Sequence, residues 1–169
     1  MKHNHDEHVH VAAKKNTNEY LKFTAIMIAI TVSSLLISSY SSLPFLESFM
    51  GVFFIVFAGF KIAQLKEFAY GFQSYDLIAK RSLVYSFTYP FLQLMFGVLY
   101  LLSFSSLALN LVVLVVSLIS GAGVLNSLIK KQQVHCVCLG NVIKLPLSTI
   151  SFVEDFGMAA MALIMIIIG

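Results

Sequence analysis

Charge is scarce in this chain. Asp, Glu, Lys and Arg make up 11% of its 169 residues, against 59% hydrophobic residues. A soluble domain of that size needs far more polar surface, and the mean hydropathy of +0.88 is that of a membrane protein. Cysteine is nearly absent too, with two residues in all, too few for a four-cysteine zinc module. The chain has no Gly-rich phosphate loop, no protease motif and no basic surface interleaved with stacking aromatics. These absences exclude nucleotide-binding and protease folds and a nucleic-acid partner. No internal repeat is convincing.

A series of apolar runs is what remains. They cover residues 23–43, 45–65, 82–104, 107–128 and 152–168, with Glu47 near the start of the second and Pro90 inside the third. A helix rising about 1.5 Å per residue crosses a hydrocarbon core of roughly 30 Å in about 20 residues. The runs therefore predict an all-α integral membrane bundle of about five transmembrane helices in the lipid bilayer. The first two are separated so little that a re-entrant hairpin is the alternative. A cleaved signal peptide fits poorly, because a long polar lead-in precedes a first run that is itself long for such a segment.

Basic residues predict the orientation. Lys2, Lys14, Lys15 and Lys22 precede the first run; Lys61, Lys66, Lys80 and Arg81 surround the loop after the second; Lys130, Lys131 and Lys144 follow the fourth. The turns near 41–46 and 103–106 contain none. All eleven Lys and Arg then fall on one side, which the positive-inside rule assigns to the cytoplasm. A bacterial inner-membrane protein with a cytoplasmic N-terminus and an external C-terminus is expected. Little charge is expected inside the bundle, where Gln93 and Asn126 are the main polar side chains. The small residues Ser117, Gly121 and Gly123 on the fourth span would let another helix approach. Tyr70, Tyr75, Tyr85, Tyr89 and Tyr100 are candidate interfacial anchors.

Two polar regions carry donor atoms. The N-terminal tail, residues 1–22, contains His3, His5, His8 and His10 with Asp6 and Glu7 between them. A free amino group followed by His at position three can wrap Cu(II) or Ni(II) in square-planar geometry, and a solvated tail without a ligand is the alternative. The loop 132–150 contains His135, Cys136 and Cys138. Two thiolates one residue apart can hold Cu(I), Hg(II) or Zn(II), with His135 as a third ligand. They can equally exchange with a partner disulfide, and the neighbouring lysines favour the reactive thiolate. Incidental small residues are the third reading. A disulfide within the pair would close an awkward ring, and a cytoplasmic site disfavours a structural one.

Glu154 and Asp155 open the last run. With a helix starting near Ser151 they occupy its first turn, where carboxylates meet the positive helix end. The alternative is a charge or proton relay that includes them and Asp76. Asp76 and Lys80 also have the spacing of a helix-surface ion pair.

The stretches Tyr75-Asp76-Leu-Ile-Ala-Lys80-Arg81, Tyr89-Pro90-Phe91, Gly97, Tyr100-Leu101, Cys136-Val-Cys138-Leu-Gly140, Lys144-Leu-Pro146 and Val153-Glu154-Asp155 together resemble the MauE branch of the DoxX-like membrane proteins. The resemblance covers about residues 45–169. It implies a four-helix, redox-associated membrane unit, preceded here by one extra helix (23–43) and the histidine tail. The MauE role supports production of a disulfide-rich methylamine dehydrogenase, and some relatives sit in heavy-metal resistance systems. Gln93 stands where the family commonly has an acid.

The leading expectation is a non-enzymatic membrane protein that collects a soft or borderline metal ion, copper, zinc or mercury, on the histidines. It would hold the ion at Cys136 and Cys138 for transfer, with a metallochaperone or efflux component as partner. The first alternative is a thiol–disulfide redox helper acting on a thiol protein. It would be a thiol–disulfide oxidoreductase if an enzyme, and would need a redox partner or quinone. The second alternative is a structural subunit of a membrane complex.

Overall fold

The computed structural model describes residues 4–76, 78–104, 106–129 and 147–168, with side chains described from residue 20 onward except at 74, 75, 127, 128 and 147–152. Six helices form among these residues: α1 (Asn4–Ser41), α2 (Phe45–Ala63), α3 (Leu65–Tyr75), α4 (Leu83–Leu101), α5 (Leu107–Ile129) and α6 (Leu147–Ile168). The protein is an all-α, multi-span membrane bundle. Four helical segments among the described residues are long and apolar enough to cross a bilayer: Tyr20–Ser41, Phe45–Ala63, Leu83–Leu101 and Leu107–Asn126.

The predicted runs differ from the helices in three places. First, α1 begins at Asn4 rather than near residue 23, so the polar tail and the first span form one helix. Its 38 residues contain no Gly or Pro, and the first strong breaker is Pro44. Second, the region after α2 contains α3 rather than only a loop. Gln64 breaks the helix at φ −129°, and the chain then resumes an amphipathic turn pattern. Phe68, Ala69 and Phe72 are buried while Lys66, Glu67 and Tyr70 are exposed, the three- and four-residue spacing of a half-buried helix. Third, α6 starts at Leu147, several residues before the predicted start.

Short connections join α1 to α2 and α4 to α5, and α1 packs on α2 as an antiparallel neighbour. Ser42 (φ 55°) and Ser103 (φ 60°) turn the chain at the end away from the lysines. Helix α1 packs on α2 through a narrow stripe. Ile30 and Ser34 are buried, and the Ser34 hydroxyl donates to the Ile30 carbonyl at 2.7 Å. Most of its other large side chains, including Ile28, Val32, Leu35 and Leu36, are exposed, as suits a surface facing lipid tails.

Helices α2 and α4 approach closely at two glycines. A Cβ on Gly97 would lie 2.8 Å from Ile55 Cγ1 and 2.9 Å from the Gly51 carbonyl oxygen. A Cβ on Gly51 would lie 2.6 Å from Leu101 Cγ and 3.1 Å from the Gly97 oxygen. The two backbones meet because neither residue has a side chain, a common device where helices associate in lipid. On α5, Gly121 does the same for α6: its Cβ would meet the Phe156 ring at 3.2 Å and Asp155 Cβ at 3.4 Å. Gly121, one of the small residues expected to admit a neighbour, therefore lies at a helix contact.

Aromatic side chains fill the remaining core. Phe53 and Phe57 stack at 4.4 Å, Phe54 stacks on Tyr100 at 6.0 Å, and Phe72 lies 4.7 Å from Tyr89. Tyr89 and Tyr100 are thus core residues rather than interfacial anchors. The Tyr100 hydroxyl donates to Asn110 Oδ1 at 2.7 Å, tying α4 to α5. Replacing Tyr100 with Phe leaves that buried acceptor without its donor, at a cost of about 1–3 kcal/mol. Reversible unfolding in mixed micelles would measure the loss. An unchanged stability would mean that the hydroxyl contributes nothing there.

Candidate functional site

The helices bring a charged cluster into the apolar core. Lys61, one turn from the end of α2, is 2% exposed. Its ammonium donates to Gln93 Oε1 on α4 at 2.8 Å and forms an ion pair with Glu154 Oε1 on α6. Gln93 closes the triangle, its Nε2 donating to the same Glu154 oxygen at 3.0 Å. Beneath the ammonium lie the faces of Tyr89 and Phe68, with ring centroids at 5.2 and 5.5 Å. Such a position favours a cation shielded from water.

Asp155, the next residue on α6, points to a different neighbour. Its Oδ2 accepts from the Ser120 hydroxyl on α5 at 3.1 Å. The Tyr89 phenol lies beside Ser120 and within electrostatic range of both carboxylates. Asp76, in the turn between α3 and α4, is fully buried. Its Oδ1 accepts from the backbone N–H groups of Ile78 (2.9 Å) and Ala79 (2.8 Å). Its Oδ2 has no hydrogen-bond partner among the described residues. Burial pushes the Asp76 carboxyl above the usual range, against the pull of the Ala79 and Ile78 N–H groups and the Lys80 charge.

Several expectations need correction. Lys61 belongs to the bundle interior, not to the basic loop, so ten of the eleven basic residues remain to argue orientation. The expectation of little interior charge fails with it: Lys61, Glu154 and Asp155 are all buried. Glu154 and Asp155 do not sit in a first helical turn. Because α6 starts at Leu147, they lie about two turns inside it, where the helix end has little influence. Asp76 is held by the N–H groups of its own turn rather than by a surface pair with Lys80. Gln93, the departure from the family's acid, bridges Lys61 and Glu154. The missed signal was a lone lysine within an otherwise apolar run, which in a membrane span calls for a partner.

The predicted ligand residues are a separate matter. His3, His135, Cys136 and Cys138 lie outside the described residues, as do the side chains of His5, His8 and His10. Among the described residues no group of three or more His, Cys, Asp or Glu side chains is placed to hold a metal ion. A cavity of about 340 Å³ opens near the opposite end of the bundle, lined by Pro44, Glu47, Leu107, Asn110, Met165 and Ile168 among others. None of the predicted site residues lines it.

The topology gives the cluster a direction. Lys61 near the end of α2, Asp76 before α4, Ser120 in the second half of α5 and Glu154 in the first half of α6 all lie toward one end. That end is also where α5 finishes and α6 begins.

No curated protein and no solved structure matches the chain. The family model described as "Methylamine utilisation protein MauE" matches residues 22–168. It takes in the first span, which the sequence reading set outside the family unit, together with the cysteine pair and every member of the buried cluster; the chain belongs to the MauE family.

Proposed function

We propose that this protein is a membrane-embedded thiol–disulfide redox helper in which Cys136 and Cys138 exchange with a disulfide or dithiol of a partner protein. The family match carries this reading, because it encloses the Cys-Val-Cys segment within one continuous MauE unit. Metal transfer has less support, since no donor cluster lies among the described residues to receive an ion.

The chemistry needs two thiols. A thiolate of the pair attacks one sulfur of the partner disulfide, forming a mixed disulfide and releasing the partner's other sulfur as a thiolate. The second cysteine then attacks the mixed disulfide, which leaves the partner reduced and the pair oxidised. The reverse sequence oxidises a partner dithiol. A disulfide spanning a single residue is geometrically strained, and strained disulfides are the readily reduced, exchanging kind. A redox partner or a quinone restores the starting state. In this reading α6 is the fifth span, so the chain termini lie on opposite sides. The cysteines face the cytoplasm, where ten basic residues gather.

Single Cys136→Ser and Cys138→Ser variants test the proposal. One of them is expected to accumulate a mixed disulfide with a partner, visible as a reductant-sensitive band that the double variant lacks. If neither variant forms such a band while the double variant retains full function in cells, the thiol-exchange reading fails.

A further inference from the structure

The buried cluster has more carboxyl groups than one cation can neutralise. Lys61 is paired with Glu154, while Asp155 is 5% exposed and its contact is the neutral hydroxyl of Ser120. Two carboxylates side by side on one helix do not both stay ionised against a single ammonium in an apolar interior. A buried carboxyl lacking an ionic partner takes up a proton instead. We propose that Asp155 is a membrane-embedded proton-binding site: a neutral carboxylic acid that holds one exchangeable proton beside the Lys61–Glu154 ion pair.

The groups around Asp155 fit that assignment from each element packed there. Helix α2 supplies Lys61, which is engaged by Glu154 and Gln93 and also lies within electrostatic range of Asp155. Helix α4 supplies the neutral Gln93 and the phenol of Tyr89, with Tyr85 within electrostatic range. Helix α5 supplies Ser120, whose hydroxyl can donate to the acid or accept from it. Helix α6 supplies Glu154, the adjacent carboxylate, which is paired with Lys61. The α3–α4 turn supplies Asp76, a second like charge within range.

Asp76 is the independent observation. Its Oδ2 is a fully buried acceptor without a hydrogen-bond partner among the described residues, and its turn adjoins the exposed Lys80. Asp76 lies within electrostatic range of Asp155 and offers a second buried carboxyl oxygen to a proton. The assignment does not depend on thiol exchange, since it involves neither cysteine.

Carbon-13 labelling of the aspartate carboxyls in the full chain, reconstituted in liposomes, tests it. The chain has three aspartates, Asp6, Asp76 and Asp155, so solid-state NMR can assign each signal with single Asp→Asn variants. The expected result is one protonated carboxyl signal that exchanges with deuterium and disappears in Asp155→Asn. If Asp155→Asn does not fold, Asp76→Asn makes the assignment, because the signal must survive there. An ionised Asp155, or a protonated signal lost in Asp76→Asn instead, overturns the proposal. The spectrum is also read in the Cys136→Ser/Cys138→Ser protein. A signal retained there, with thiol exchange lost, separates failure of one proposal from failure of the other.

Discussion

Lys61→Met will destabilise the bundle by about 3–5 kcal/mol, the usual cost of removing one partner from a buried ion pair. Met preserves most of the volume, so the loss comes from charge rather than from a cavity. Glu154 would be left with Gln93 Nε2 as a donor and without the ammonium that offsets its burial. The double variant Lys61→Met/Glu154→Gln removes both charges and should recover most of the loss, since an apolar or neutral replacement of a buried pair is often close to neutral. Reversible unfolding of the wild type, both single variants and the double variant gives the coupling energy directly. A double variant no more stable than the sum of the singles would show that Lys61 and Glu154 do not depend on each other.

Gly97→Ala is expected to cost about 1–3 kcal/mol, typical of overpacking a tight contact, and to cost more than Gly51→Ala. The asymmetry follows from what each new methyl group meets. At position 97 the obstacles include the Gly51 carbonyl oxygen at 2.9 Å and Phe54 Cβ at 3.0 Å, neither of which moves without its helix. At position 51 the close atoms are the outer carbons of Leu101, which a change of rotamer can carry away. Unfolding free energies of the two variants check the order. Equal costs, or the reverse order, would mean that α2 and α4 separate more easily than their contact indicates.

Four of the five expected spans were legible in the sequence, because uninterrupted apolar runs have few other uses in a chain so poor in charge. The predicted 107–128 became α5 (Leu107–Ile129), and 82–104 became α4 (Leu83–Leu101). Helix α3 was hidden because its apolar residues recur every three to four positions within a segment that also holds Lys66 and Glu67. A search for long runs passes over that pattern. Lys61 was misread for a related reason. Positive charge near the end of a span ordinarily marks the cytoplasmic boundary, and only the fold reveals that this lysine faces Gln93 and Glu154. Glu154 and Asp155 were identified, but their depth depends on where α6 begins, and boundaries are the least certain part of any sequence reading. The cysteine pair was the clearest chemical signal in the sequence, and it lies outside the described residues.

The separation of the ion-pair partners along the chain also bears on biosynthesis. Lys61 and Glu154 are 93 residues apart, so at about 5–20 residues per second a ribosome needs roughly 5–20 s to bring the second after the first. During that interval α2 enters the membrane carrying an uncompensated cation. Its place one turn from the helix end lets the ammonium reach up to the headgroups on its flexible stem. Arrival of α6 then draws it inward, making α6 the helix that locks α2 in place.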